Sequence, residues 1–344
     1  MPQGSSNSRW TDRLVTGLVI AMVALLLYPV MRWALVDAVW GVKPPAACSN
    51  SGGACWPIIA EKGMLILFGR YPAAELWRPA IASAVLLGTA VATAIPRLWG
   101  RGLLAAWIYA PMIFLVLMSG GAAGLAPVSW TQWGGLPITI MLSVFGIGLA
   151  FPIGILLACG RVSARPAVRL LSTVYIEVMR GVPLITVLFM ATFILPLLLP
   201  AGWTLSLLMR AQVAIILFAA AYLAEVVRAG IQMVPRGQYE ACQSLGMSPF
   251  QTYIKVILPQ ALTMVIAPTI NTFIAVLKDT SLVAIMSISE LLLSARQAFA
   301  DPVWRTHFVE VYVFIALIYF TFCFAMGKWS KRLERDYVAS KMHS

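Results

Sequence analysis

Two acid–base pairs in this chain share one spacing, Glu177 with Arg180 and Glu225 with Arg228. Residues three apart lie on one helix face, so each pair can close an ion pair along its own helix. The other reading is that one member of a pair lines a path for a charged solute. Lys278, Asp279 and Thr280 form a further polar group inside apolar sequence, where solvation or pairing is the plain alternative to a place on such a path. The two histidines are His307 and His343, and no H-E-x-x-H motif occurs, so neither a metal site nor a histidine proton relay is expected. No G-x-x-x-x-G-K-S/T loop is present, so the chain is not expected to hold ATP by that motif, and it carries no evident cofactor site of its own. Few acids fall in apolar segments, which argues against an ion-driven secondary carrier. Cys48 and Cys55 share one polar stretch, either as a disulfide or as two thiols. Cys159, Cys242 and Cys323 read as small packing residues.

These groups must be positioned by helices in a lipid bilayer. The chain has 344 residues, 60% hydrophobic and only 11% charged, against ~25% charged in a soluble domain. Apolar runs that suit a hydrocarbon core needing ~20 helical residues fall at 14–36, 80–96, 102–119, 136–159, 183–200, 207–229, 260–277 and 307–327. The expected fold class is an all-α polytopic membrane protein with about eight transmembrane helices. Run 63–69 is too short to span and suits the membrane interface, and 281–294 reads as a shorter apolar helix. The first run is long and has no small-residue cleavage site after it, so no signal peptide is expected. Gly146 and Gly148 are small enough to admit a neighbouring helix, Gly181 with Pro183 marks a bend, and Lys278–Thr280 marks a helix break at the end of run 260–277.

The net charge of +12 is distributed loop by loop. Arg97 and Arg101, then Arg161, Arg165 and Arg169, then Arg228, Arg236 and Lys255, then the tail with Lys328, Lys331, Arg332, Arg335 and Lys341 fall on alternate loops. The loops 119–134 and 200–206 hold no Lys or Arg. The positive-inside rule therefore puts both termini in the cytoplasm and the long loop 37–79 outside; Arg296 and Arg305 in loop 295–306 are a mild exception. This charge is a topology signal and implies no nucleic acid.

Residues 235–259, PRGQYEACQSLGMSPFQTYIKVILP, are the longest polar break in the C-terminal two-thirds of the chain, on the cytoplasmic side by the same rule. Pro235 and Pro259 bound the break. Gly246 suits a helix C-cap with positive φ. Ser248, Pro249 and Gln251 read as N-cap, first-turn proline and reach-back residue of a capping box. Two short capped helices at a water-facing surface are either a docking element or an ordinary loop, and local chemistry leaves both open.

Glu240-Ala241-Cys242, then Gly246, then Val256-Ile257-Leu258-Pro259 resemble, in order and spacing, the EAA loop of ABC-importer permeases. Cys242 stands for the second Ala and Val256 for an Ile. IEVMRGVPLI (176–185), AAYLAEVVRAGIQMVPRGQYEA (220–241), LPQAL (258–262) and LKDTSLVAIMSISELL (277–292) resemble the polar amino-acid subfamily, the HisMQ type. The extra N-terminal spans and long outer loop resemble the M-type subunit of general L-amino-acid importers of the Aap/Bzt kind. The resemblance implies three regions: an N-terminal extension over 1–134 with three spans and a periplasmic loop at 37–79; a five-helix type I permease core over 135–330 with the coupling loop 235–259; and a cytoplasmic tail over 331–344. It implies a place in the bacterial inner membrane, a second permease subunit as heterodimer partner, a cytoplasmic ATPase dimer that binds ATP and Mg, a periplasmic solute-binding protein, and an L-amino-acid substrate. Glu240, Ala241, Cys242, Leu245, Gly246, Met247, Phe250, Leu258 and Pro259 would then couple to the ATPase. Ala241, Cys242 and Gly246 would permit close backbone approach, and Leu245, Met247 and Phe250 would fill apolar pockets. The substrate path would be lined by Arg180, Gly181, Pro183, Tyr222, Glu225, Asn271, Lys278, Asp279, Thr280 and Met286, with ordinary helix packing as the alternative for each. A passive channel, an ion-coupled carrier or an integral-membrane enzyme are the competing classes, and none of them needs a docking hairpin at that spacing.

Overall fold

Backbone polar groups in hydrocarbon have no water to bond, so long apolar runs are forced into helix. Every regular element among the described residues is helical, with two isolated bridges besides. The computed structural model describes residues 5–48, 52–122, 124–200 and 202–342, without side chains at 5–10, 96 and 336–342. His343 lies outside the described residues. The chain divides into two compact units, 1–64 with 296–314, and 65–295 with 315–344.

In the first unit, α1 (Ser5–Met31) runs on as a π-turn over Arg32–Val36. The following stretch folds back on itself: Val39 and Cys55 form a parallel bridge, and Cys48 and Cys55 are joined as a disulfide. Gly53 is required there, because a Cβ would overlap the Asp37 carbonyl. Trp40 stacks on Trp56 at 5.8 Å. Pro57 opens α2 (Pro57–Phe68), whose residues from Leu65 on belong to the second unit. Ile58 and Ile66 are fully buried, so run 63–69 is the end of a packed helix, whereas an interfacial segment was expected.

The second unit is a bundle of α3 (Trp77–Thr93), α4 (Arg101–Ser119), α5 (Leu136–Arg161), α6 (Pro166–Gly181), α7 (Leu184–Phe193), α8 (Leu195–Leu198) and α9 (Leu207–Met233), continued by α10 (Arg236–Ser244), α11 (Pro249–Thr252), α12 (Leu258–Met264) and α13 (Ile266–Asp279). Of α14 (Leu291–Phe299) and α15 (Phe308–Met342), residues 291–295 and 315–342 belong here, and 296–299 and 308–314 to the first unit. Its spine is α5 against α9. Gly154 meets α9 so closely that a Cβ would sit 2.9 Å from the Leu223 Cβ and 3.1 Å from the Ala220 carbonyl oxygen. Ala211, Ala214, Ala219, Ala220, Ala221, Ala224 and Gly230 are the small buried residues on α9. Without a hydrophobic drive between helices in lipid, such close backbone approach is what holds them. Gly146 faces Ile215 and Gly148 faces Trp107, so both expected contact glycines are used. At the other end of α5, the Gly135 N–H donates to the Ser289 carbonyl at 2.8 Å and to Ser294 Oγ at 3.0 Å, and Glu290, fully buried, accepts from the N–H groups of Leu292 and Leu293 at 2.8 Å each.

Several expected elements shift. Six helices among the described residues are long and apolar enough to cross a membrane, and seven if the bent pair α6–α7 is one span, against the expected eight. The run 80–96 is represented by α3, whose 17 residues reach only about 25 Å at 1.5 Å each, the lower limit for a ~30 Å core. The run 183–200 is not one span: α7 has 10 residues, α8 has 4, and prolines 183, 196 and 200 interrupt the ladder. Span length is recovered only with α6, across a 104° bend at the predicted Gly181–Pro183 site. The span expected at 260–277 is displaced to Ile266–Met286, because α13 runs on as a 3-10 turn over Thr280–Met286. That turn ends at Ser287 in the left-handed region with φ 61°, so 281–294 is not one helix.

Candidate functional site

The bend between α6 and α7 opens a cavity of about 720 Å³ against α9 and α13. Arg180, Gly181 and Pro183 come from the bend, Phe218, Ala219 and Tyr222 from α9, and Asn271, Thr272 and Asp279 from α13. The Arg180 guanidinium lies over the Tyr222 ring at 5.8 Å, and Phe218 and Tyr222 pack with centroids 4.9 Å apart. One cavity thus offers a cation, an acid, an amide and an aromatic wall. That set can hold a small zwitterion by its two charged ends, with apolar room between.

Behind Arg180 sits a charge hub. Glu225 on α9 accepts from Arg228 one turn along through both of its oxygens, and from Arg161 of α5 at 3.0 Å; Arg180 of α6 lies 3.7 Å away. Arg161 also donates to Glu177 at 2.5 Å. The expected Glu225–Arg228 pair is present, but Glu177 and Arg180 do not pair with each other: Arg161 takes Glu177, and Arg180 turns to Glu225 and the cavity. Three helices converge on one carboxylate, so the bent segment is fixed electrostatically to the spine.

The hairpin has the predicted local chemistry. α10 ends in a Schellman turn, with the Met247 N–H on the Cys242 carbonyl and the Gly246 N–H on the Gln243 carbonyl, both at 3.0 Å, and Gly246 at φ 67°. Ser248 and Gln251 form the capping box at the start of α11. The π-turn Tyr253–Ile257 then carries the chain to Pro259. Its wider register absorbs a proline that cannot donate into an α-helical ladder. Tyr239 and Tyr253 meet edge to face at 6.2 Å, and Gln260 donates to Gln238 at 3.2 Å, bracing α10 on the π-turn and α12. Burial pushes both phenols above their ordinary range, so they stay neutral. The far side is open: Leu245 is 79% and Phe250 73% exposed, Glu240 and Ala241 are exposed, and nothing lies near Gly246.

The sequence-predicted residues divide accordingly. Arg180, Gly181, Pro183, Tyr222, Asn271 and Asp279 line the cavity, with Glu225 behind it. Lys278 is exposed and outside the lining; Thr280 is buried with its hydroxyl on the Leu277 carbonyl, and Met286 is buried. The helix passes through Lys278–Thr280 as a change of winding, so the expected break there is corrected, and of these three only Asp279 lines the cavity. On the hairpin, Cys242 is turned into the chain's own interior at 3% exposed, so it leaves no open space for a neighbour; Met247 and Leu258 are half-buried and Pro259 is exposed. Missed were Arg161, Phe218 and Thr272, which have no local signal because tertiary packing delivers them. The buried Glu290 and Glu310 were missed as well, although an acid beside a long apolar run is itself a signal.

Residues 150–338 match the family described as binding-protein-dependent transport system inner membrane component. The chain is 44% identical over 337 residues to the inner membrane amino-acid ABC transporter permease protein YhdY of Escherichia coli (strain K12), covering 96% of this chain and 90% of that one. It is 34% identical over 368 residues to the glutamate/glutamine/aspartate/asparagine transport system permease protein BztC of Rhodobacter capsulatus, covering 88% and 85%. A solved structure, described as an amino acid ABC transporter with histidines, aligns with TM-score 0.52 and 30% identity over 59% of this chain and 92% of that chain.

Proposed function

Because the chain belongs to the family of binding-protein-dependent transport system inner membrane components, we propose that it is one permease subunit of an ATP-driven L-amino-acid importer. It pairs with a second, different permease subunit in the bacterial inner membrane, with both termini in the cytoplasm. A cytoplasmic ATPase dimer binds ATP and Mg, and a periplasmic binding protein delivers the solute. The three-part division at 134/135 and 330/331 belongs to this reading. The single observation that carries it is the outward-facing hairpin 235–259, whose apolar Leu245 and Phe250 stand exposed beside a turn with open space. Exposed apolar side chains on a rigid capped element fit a partner's groove. Closure of the ATPase dimer on ATP pulls this element. The hub at Glu225 passes the movement to the α6–α7 bend, and the cavity alternates between the two sides. The amino acid undergoes no covalent change.

Purification in mild detergent should bring down the ATPase, and uptake should be blocked by vanadate. A chain that purifies without an ATPase and transports in vanadate would be a channel or secondary carrier. The cavity has a separate test. Asp279 faces the ammonium group and Arg180 the carboxylate of the solute. Asp279→Asn removes one charge-assisted hydrogen bond, so the Kd of labelled amino acid for the complex without binding protein should rise about tenfold. Omitting the binding protein matters, because its own affinity otherwise masks the permease's. An unchanged Kd would move the solute to the partner subunit.

A further inference from the structure

The unit formed by residues 1–64 and 296–314 holds a cluster that transport does not use. The sulfurs of Cys48 and Cys55 and a ring nitrogen of His307 all lie within 4.8 Å of one another. Cys55 is 0%, Cys48 4% and Glu310 4% exposed. One Glu310 oxygen accepts the Cys55 N–H at 2.8 Å and stands 3.6 Å from His307 Nδ1. The fully buried Trp304 sets its ring against the His307 ring at 5.8 Å, which fixes the imidazole plane. We propose that this cluster is a redox-gated metal site: when the Cys48–Cys55 bridge is reduced, both thiolates and the His307 imidazole bind a divalent zinc-type cation, with Glu310 as a positioning residue.

The donor set is chemically apt. Two thiolates and one neutral imidazole favour borderline-soft cations, and bonds of about 2.0–2.3 Å place tetrahedral donors roughly 3.3–3.8 Å apart. The bonded sulfurs must therefore part on reduction, while the His307 nitrogen, already within 4.8 Å of both, stays within reach. The Glu310 carboxylate, 3.6 Å from His307 Nδ1, favours a proton on that nitrogen once it closes to hydrogen-bond distance, which would leave the Nε2 lone pair for the cation, the usual support for a metal-bound histidine. Three protein ligands leave the fourth position to water. The chemistry balances. A dithiol reductant gives two electrons and two protons to the bridge and becomes a disulfide itself. The two thiols then release two protons to solvent as the cation binds. The cation and the disulfide exclude each other, so the redox poise around the unit sets which is present.

The test uses full-length protein in detergent. Oxidised protein should show neither Cys48 nor Cys55 alkylated; dithiothreitol should expose both while the protein still elutes as a folded species. After removal of the reductant, titration with Co2+ should give one thiolate-to-cobalt charge-transfer band per chain, displaced by Zn2+ and absent from oxidised protein. Glu310→Gln should weaken Co2+ binding about 10–100-fold, with the oxidised variant eluting as wild type. His307→Ala, a second variant, should weaken it further. A bridge that resists reduction in the folded protein overturns the proposal. So does a missing band, a band that persists in the Cys48→Ser/Cys55→Ser double variant, or wild-type affinity in His307→Ala.

Discussion

Gly246→Asp should leave the permease folded in the membrane and reduce amino-acid uptake to background. The residue sits in the left-handed region at φ 67°, with nothing within 4 Å of where a Cβ would point. The fold therefore meets no clash. A left-handed L-residue costs roughly 1–2 kcal/mol, and less for Asp, whose short side chain tolerates that region. Docking is another matter. The same open space is the room a partner needs to approach the turn, and a carboxylate buried there without a partner costs about 3 kcal/mol, roughly a 100-fold loss of association. ATPase co-purification and uptake in proteoliposomes measure it, with Gly246→Asn as the uncharged control for backbone strain. Normal uptake by Gly246→Asp would remove the hairpin from coupling.

Glu225→Ala should be the most damaging change inside the bundle. The carboxylate is the shared anionic partner of Arg161, Arg180 and Arg228, which arrive from α5, α6 and α9. Its removal leaves guanidinium groups facing one another in a partly desolvated place. Breaking a fully buried pair costs about 3–5 kcal/mol. At 22% side-chain exposure some of that is screened, and about 2 kcal/mol remains by the same reasoning. Thermal unfolding in detergent should fall by several degrees, and uptake should fail because the α6–α7 bend loses its tie to the spine. A double-mutant cycle sharpens the test. Arg161→Ala combined with Glu225→Ala should cost clearly less than the sum of the two, since each removes the other's unpaired charge. Strict additivity, or a stable and active Glu225→Ala, would show that the hub is only a surface cluster.

How far the chain was readable from its residues depends on how local each cause is. The turn at Gly246, the capping box at Ser248 and Gln251, and the bend at Gly181–Pro183 all follow from backbone chemistry within a few residues, and the structure has each of them. The partner of Glu177 was misread because i,i+3 spacing makes Arg180 available, while Arg161, 16 residues away, is delivered by the close packing of α5 and α6. The expected helix break at Lys278–Thr280 failed for a similar reason. Polar residues suggest a helix end, yet the buried Thr280 hydroxyl bonds back to the Leu277 carbonyl and lets the winding continue.

Hydropathy and the spacing from Glu240 to Pro259 were enough on their own to determine an all-helical membrane protein, its capped hairpin and the family it resembles, because helix in lipid and capping are dictated by covalent neighbours. Only the tertiary structure decided that six of the ten proposed path residues share one cavity, that Cys242 faces inward, and that Cys48, Cys55, His307 and Glu310 meet. Residues 255 positions apart have no common signal until packing brings a buried carboxylate to a backbone N–H.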